Sequence, residues 1–210
     1  MTERTYLPAM GKDYLLPFYD VLHHVGGLQP IHQEMITLAD LRDGHRVLDV
    51  GCGTGNLLRS IGKRRPAVEL TGLDPDPRVL ARARRKVRQA RLDRGFAQEL
   101  PYPDNSYDRV FSSLMLHHLD SESKDVLLAE VRRILRPDGM LVLADAVADE
   151  HGHGFGHRTP RQMSAHLADN VGDAVAQRIA AAGFTVAPTR TMTIRIGGRI
   201  GIVAARPTGK

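Results

Sequence analysis

Residues 47–58 read Val-Leu-Asp-Val-Gly-Cys-Gly-Thr-Gly-Asn-Leu-Leu. A short apolar strand ends at Asp49, three glycines stand at 51, 53 and 55, and a helix-like run begins at Asn56. Glycines in such a turn reach backbone angles closed to other residues and let a ligand approach the main chain. The stretch is therefore a cofactor loop. A dinucleotide fingerprint, G-x-G-x-x-G, would place a glycine where Asn56 stands. A phosphate-cradling loop would end in Gly-Lys-Ser/Thr, and this one does not. What remains is D-x-G-x-G-x-G, on Asp49, Gly51, Gly53 and Gly55.

The run Val68-Glu69-Leu70-Thr71-Gly72-Leu73-Asp74 reads as a second strand ending in an acid. Asp74 lies 23 residues after Gly51, close to the roughly 20 expected for a carboxylate that accepts from the ribose hydroxyls of a nucleotide. Its other reading is a cap for a helix over 76–91, with Pro75 between them. Loop and acid at this spacing together favour the nucleotide-like ligand.

The loop resembles motif I of the class I S-adenosylmethionine (SAM)-dependent methyltransferases. The resemblance extends to Ala97-Gln98-Glu99-Leu100-Pro101-Tyr102-Pro103-Asp104, to Val110-Phe111-Ser112-Ser113-Leu114-Met115-Leu116-His117-His118-Leu119, and to Leu135-Arg136-Pro137-Asp138-Gly139 before a fifth strand. These runs are similar to the small ubiquinone/menaquinone-type ("type 11") members. The likeness is firm over residues 44–145 and general at the flanks. It implies an α/β, Rossmann-like, doubly wound seven-stranded sheet, mostly parallel with an antiparallel C-terminal hairpin strand. A small N-terminal helical cap over 1–30 would precede a core of 31–206. It further implies SAM as cofactor, passing Asp49, Gly51, Cys52, Gly53, Gly55 and Asn56 with its methionyl end. Asp74 and Pro75 would lie at the ribose, Ala97 and Gln98 beside the adenine, and Ser112 and Ser113 at the end of the fourth strand.

At 210 residues the chain is long enough for one full core. It has no run of 18 apolar residues, so no membrane span is expected. Its N-terminus lacks a signal-peptide order, and its single cysteine, Cys52, fits a reducing cytosol. Residues 78–94 hold eight basic side chains against Asp93, a net +7, whereas the whole chain carries +5. The basicity thus belongs to one segment. Val79, Leu80, Ala83, Val87 and Ala90 give that segment a buried helical face, and its arginines read as a solvated face. An RNA methyltransferase that uses this Arg-rich helix is the alternative to a small-molecule enzyme. A SAM-binding sensor without turnover is the non-enzyme alternative.

Helices are expected over 31–40, 56–63, 76–91 and 164–182, the last stopped by Gly183. Strands are expected at 46–51, 68–74, 94–98, 107–112 and 140–145. Asp120 or Ser121 caps a helix whose inner face is Val126, Leu127, Val131, Ile134 and Leu135. Two β-rich runs flank Gly197-Gly198, a two-residue hairpin signal. Tyr6, Tyr14, Phe18 and Tyr19 are four of the ten Phe and Tyr in the chain. Tyr14, Phe18, Tyr19 and Asp20 could cap the cofactor, with Tyr19 facing its sulfonium through cation–π attraction.

Displacement at a sulfonium methyl needs alignment, and a base only when the acceptor holds its proton at neutral pH. His117 and His118 follow the fourth strand and are the candidates for that base. His151, His153 and His157 lie in a Gly-rich loop over 149–160. With no cysteine nearby this reads as a mobile lid and not as a metal site. The expected partner is a small-molecule acceptor, with no nucleic acid and no metal.

Overall fold

A computed structural model of the chain describes residues 27–65, 67–147, 170, 173–194 and 198–209. The N-terminal aromatics, including Tyr19, and the His/Gly-rich loop lie outside the described residues. In chain order the elements are α1 (Leu28–Leu38), β1 (Arg46–Val50), α2 (Asn56–Arg64), β2 (Glu69–Asp74), α3 (Pro77–Lys86), β3 (Arg91–Arg94) and β4 (Tyr107–Ser113). A 3-10 turn (Leu116–His118) follows, then α4 (Ser121–Ile134), β5 (Leu135–Val147), α5 (Ala174–Ala181), β6 (Phe184–Val186), β7 (Arg190–Ile194) and β8 (Gly198–Pro207).

The sheet runs β3-β2-β1-β4-β5-β8-β6. It is parallel from β3 through β5, and β8 returns antiparallel to β5. The expected doubly wound sheet with an antiparallel C-terminal strand is therefore present. Eight strands stand where seven were expected, because β6 and β7 both pair with β8, one at each end. Pro188 lies between them, and a residue without an N–H interrupts an edge strand. Ile194 pairs with Gly198, so Gly198 opens β8 and does not belong to a two-residue turn.

Strand alternation distributes the core to two faces. Val47, Phe111, Val142 and Ile202 pack with Ile31, Met35, Leu58 and Leu80 of α1, α2 and α3. Leu48, Val110, Leu143 and Val203 pack with Leu127, Val131 and Ile179 of α4 and α5. The central strands are buried on both sides, which explains their near-continuous apolar runs.

Three expectations are corrected. The Arg-rich helix ends at Lys86 instead of 91, because Arg91–Arg94 pair with Thr71–Asp74 as β3. The third strand accordingly stands at 91–94, before the expected 94–98. The inner face of α4 is rotated: Val126 is 40% exposed, while Lys124 is fully buried beside Leu127 and Leu128. Asp120 is the N-cap, accepting from the Ser123 N–H at 2.8 Å. The capping role weighed for Asp74 belongs to Asp76, whose Oδ1 accepts from the Arg78 N–H. Arg78, Arg84, Arg85, Arg88, Arg91 and Arg94 are exposed, in keeping with a solvated face.

Candidate functional site

The carboxyl ends of β1 and β4 meet α1 and α2 around a cleft open to solvent. It is lined by Asp49, Gly51, Cys52, Thr54, Asn56 and Leu57 from the loop and α2, by Ser113 and Leu114 from β4, and by Leu28 and His32 from α1. This is where an open α/β sheet binds ligands, at the point where strand order reverses.

The loop is tied on all sides. The Gly51 and Cys52 N–H groups both donate to the Leu73 carbonyl, at 2.8 and 3.0 Å, which laces β1 to β2. The Gly53 N–H donates to Asp74 Oδ2 at 2.9 Å, and Asp74 Oδ1 accepts from the Asp76 N–H at 2.9 Å. From α3, Lys86 Nζ donates to Thr54 Oγ1 at 3.1 Å and to Asn56 Oδ1 at 2.7 Å.

The three glycines serve different ends. All have positive φ: 73° at Gly51, 51° at Gly53 and 77° at Gly55. A Cβ on Gly51 would lie 2.3 Å from Met115 Cγ, and one on Gly55 would lie 2.9 Å from Val87 Cγ2. Those two are required by packing. A Cβ on Gly53 would meet nothing within 4 Å among the described residues, which leaves that side of the loop open to a ligand. Gly53→Ala is expected to weaken SAM binding about fivefold or more, with a stability cost of roughly 1–2 kcal/mol from the left-handed backbone alone. Gly51→Ala is expected to cost more stability, through Met115. Paired thermal melts and calorimetry separate the two effects, and equal effects on affinity at equal loss of stability would contradict this division.

Asp49 is fully buried, and its Oδ1 has no hydrogen-bond partner among the described residues. Burial, and then the nearby Asp74 carboxylate, hold its carboxyl well above the usual range. An unpartnered buried acid lining a cleft is poised for a cationic group. Burial also pushes Asp74 up to about 6, against the lowering effect of its two backbone donors. The same burial, with Asp49 and Asp74 nearby, keeps the Cys52 thiol protonated, so it is no nucleophile.

Leu114 has φ 55°, a left-handed backbone on a branched residue that costs roughly 1–2 kcal/mol. Its N–H donates to the Ala144 carbonyl at 2.8 Å, which holds the bend at the mouth of the cleft. Beyond it, His117 and His118 stack with ring centroids 4.2 Å apart. His117 Nδ1 lies 2.6 Å from Asp145 Oδ1, and the His117 N–H donates to Asp145 Oδ2 at 3.1 Å.

Of the residues expected from the sequence, Asp49, Gly51, Cys52, Asn56 and Ser113 line the cleft. Gly53 and Gly55 belong to its loop, and Asp74 bonds to that loop. Pro75, Ala97, Gln98 and Ser112 are not among the lining residues. Ser112 is buried, and its Oγ lacks a partner among the described residues. No sequence motif marks His32, 3.4 Å from Ser113 Oγ, or the parts that Lys86 and Asp145 take. Among the described residues no cluster of three or more His, Cys, Asp or Glu could hold a metal, and no helix is long and apolar enough to cross a membrane.

Residues 47–139 match the family described as "Methyltransferase domain". The demethylmenaquinone methyltransferase of Deinococcus radiodurans is 34% identical over 138 residues, covering 62% of this chain and 56% of that one. The ubiquinone/menaquinone biosynthesis C-methyltransferase UbiE of Cupriavidus pinatubonensis is 28% identical over 198 residues, covering 88% and 79%. The chain spans about half the length of the first curated relatives it matches, 42–57% for five of them. The structure superposes with a TM-score of 0.75 on Haemonchus contortus phosphoethanolamine N-methyltransferase 2, bound to phosphomonomethylethanolamine and S-adenosylhomocysteine. That match, at 16% identity over 96% of this chain and 58% of the other, is a likeness of fold. Glycine loop, ribose-spaced acid, strand order and sequence relatives converge: residues 47–139 match a methyltransferase domain, and the chain is similar to the class I SAM-dependent methyltransferases.

Proposed function

We propose that this protein transfers the methyl group of SAM to a small-molecule acceptor, releasing S-adenosylhomocysteine. The family's cofactor is SAM, and the residues present fit it. The observation that carries the reading is the Oδ1 of Asp49, without a partner among the described residues, in a cleft bordered by the loop that leaves Gly53 open. When bound, SAM supplies an already activated methyl on a good leaving group. The protein's part is to hold, align and exclude water.

Asp49 receives the cationic amino-acid end. Asp74, anchored by the Gly53 and Asp76 N–H groups, keeps lone pairs for the two ribose hydroxyls. Ser113 and His32 border the side on which the acceptor would approach. A small acceptor is supported by relatives named for quinone-type substrates.

The test is transfer from methyl-labelled SAM into a fractionated cell extract, run beside calorimetry with SAM. Label in the low-mass fraction, with micromolar binding, is expected. Label in RNA alone would move the acceptor to nucleic acid and assign the exposed arginines of α3 to its phosphates. SAM binding without any labelled product would make the protein a sensor. Because burial raises the Asp49 carboxyl and a cationic partner would favour its carboxylate form, SAM binding is also expected to release protons. Binding heats that do not vary with the ionisation enthalpy of the buffer would contradict this.

A further inference from the structure

Residues 59–94 hold twelve Arg and Lys against four Asp and Glu, a net +8, in a chain whose total is +5. The rest of the chain therefore carries −3. The four acids are already engaged. Glu69 lies 3.4 Å from Arg46, outside the segment. Asp74 and Asp76 accept from the Gly53, Asp76 and Arg78 N–H groups. Asp93 accepts from the Tyr102 hydroxyl at 3.1 Å and pairs with Arg91. Arg59, Lys63, Arg64, Arg84, Arg85 and Arg88 are exposed, and none has an ion-pair partner among the described residues. A helix face that is merely solvated alternates its signs. This one carries a single sign.

These side chains belong to one surface. Leu57, Leu58 and Ile61 of α2 pack into the same core as Leu80 and Ala83 of α3 and Val87 at its end. Both helices therefore lie flat on one side of the sheet, with their basic sides turned outward. They also touch. A Cβ on Gly62 of α2 would come within 2.5 Å of Gln89 Nε2, just past the end of α3. β3 continues the surface as the edge strand of the sheet, with Arg91 and Arg94 exposed.

The chemistry of the surface selects its partner. Ten of the twelve cations are Arg, whose planar fork matches phosphate as the lysine ammonium does not. Residues 59–94 contain no Phe, Tyr or His, so a single nucleic-acid strand finds no ring to stack on. Helices that lie flat on the sheet do not enter the groove of a duplex. A folded protein partner would bury an apolar centre, yet the one large hydrophobic exposed among the described residues is Val126, on α4, and α4 packs on the opposite face of the sheet. What remains is an array of phosphates that needs no register, no groove and no apolar contact. We propose that this face docks the protein on the surface of an anionic phospholipid bilayer, through the lipid phosphates and without insertion. α2 also lines the cleft through Asn56 and Leu57. Its nine residues span about 14 Å, so docking holds the cleft close to the lipid.

The experiment sediments the full chain with vesicles of three parts phosphatidylcholine to one part phosphatidylglycerol, and with vesicles of phosphatidylcholine alone. Binding to the anionic vesicles only is expected. Its partition coefficient should fall at least about tenfold between about 0.1 M and about 1 M salt, as the Debye length shortens from roughly 10 to 3 Å. Arg64→Gln/Arg85→Gln/Arg88→Gln, which keeps helix-forming side chains, should bind at least about 30-fold more weakly. Arg42→Gln/Arg199→Gln/Arg206→Gln removes the same charge from exposed positions outside this surface and should stay within about threefold of wild type. Thermal melts confirm that both variants are folded.

Unchanged binding in the first triple variant would overturn the proposal. So would equal losses in the two variants, which would make net charge alone responsible. Equal binding to neutral vesicles, or none to anionic vesicles at low salt, would overturn it as well. So would displacement of the wild-type protein from the vesicles by poly-uridine or a short RNA duplex at equal phosphate concentration, and the surface would then belong to nucleic acid. These wild-type readouts need no variant. None of them needs SAM, so their failure leaves the methyl-transfer reading in place.

Discussion

Asp74→Asn is expected to raise the dissociation constant for SAM about 30-fold at pH 7.5, while leaving the free protein at least as stable as the wild type. The two halves of this result come from the same carboxylate. Its oxygens accept from the Gly53 and Asp76 N–H groups, and on the proposed reading the remaining lone pairs accept from the ribose. Two hydroxyls donating to a charged acceptor contribute about 1.5–3 kcal/mol each. Asparagine keeps one oxygen and no charge, so a loss of about 2 kcal/mol, or 30-fold, is a conservative expectation.

Stability goes the other way. Burial raises the folded carboxyl to about 6, above its unfolded value of about 3.9. A group raised in this way favours the fold below its unfolded pKa and loses that contribution as the pH climbs through its folded one. At pH 7.5 ionised Asp74 is therefore a cost, up to about 3 kcal/mol for a two-unit shift. Asparagine removes this cost and gives back about 1 kcal/mol for the N–H left unpaired. Wild-type affinity should also fall as the pH drops through 6, more steeply than the variant's, which keeps only the dependence due to Asp49. Calorimetry and thermal melts between pH 5 and 8 read both effects. An affinity within threefold of wild type would show that Asp74 does not hold the ribose.

That carboxylate was legible in the sequence because its evidence is local: a strand, a terminal acid and a counted distance from Gly51. The loop was legible for the same reason, since its three glycines alternate within five residues and each needs a special φ. The elements misread are those decided by distant partners. The apolar period Val79, Leu80, Ala83, Val87, Ala90 runs past the end of α3, and only pairing with β2 takes Arg91–Arg94 out of the helix. Lys124 reads as solvent-facing, yet it is buried with its Nζ 3.2 Å from Asn170 Oδ1, and Val126 is displaced outward. Asp145 is one acid inside an apolar strand, and its meaning depends on a histidine 28 residues earlier. His32 belongs to no motif. It enters the site because α1 is placed there by a residue 70 positions away from its end.

That residue is Arg109, and Arg109→Met is expected to destabilise the protein by about 3 kcal/mol, a fall in Tm of roughly 6–12 °C for a chain of this size. Arg109 stands in β4 at 5% exposure, with its guanidinium turned under α1. Its Nε donates to the Ala39 carbonyl at 2.5 Å, Nη2 to the Asp40 carbonyl at 3.3 Å, and Nη1 to the Asp108 carbonyl at 2.8 Å. Ala39 caps the C-terminus of α1, and Asp40 follows with φ 43°. Carbonyls at a helix end have no partner within the helix, and the helix dipole places negative charge there. The guanidinium answers both needs at once, with the planar fork that lysine lacks. Methionine fills the space but removes the Arg109 donors from the Ala39 and Asp40 carbonyls. Because α1 carries Leu28 and His32 at the cleft, amide exchange from Ile31 to Leu38 should accelerate first, and SAM affinity should fall at temperatures still below the global melt. Arg109→Lys should recover part of the loss. A denaturation midpoint within 1 kcal/mol of wild type, or exchange that rises uniformly across the sheet, would show that α1 is held by its apolar face alone.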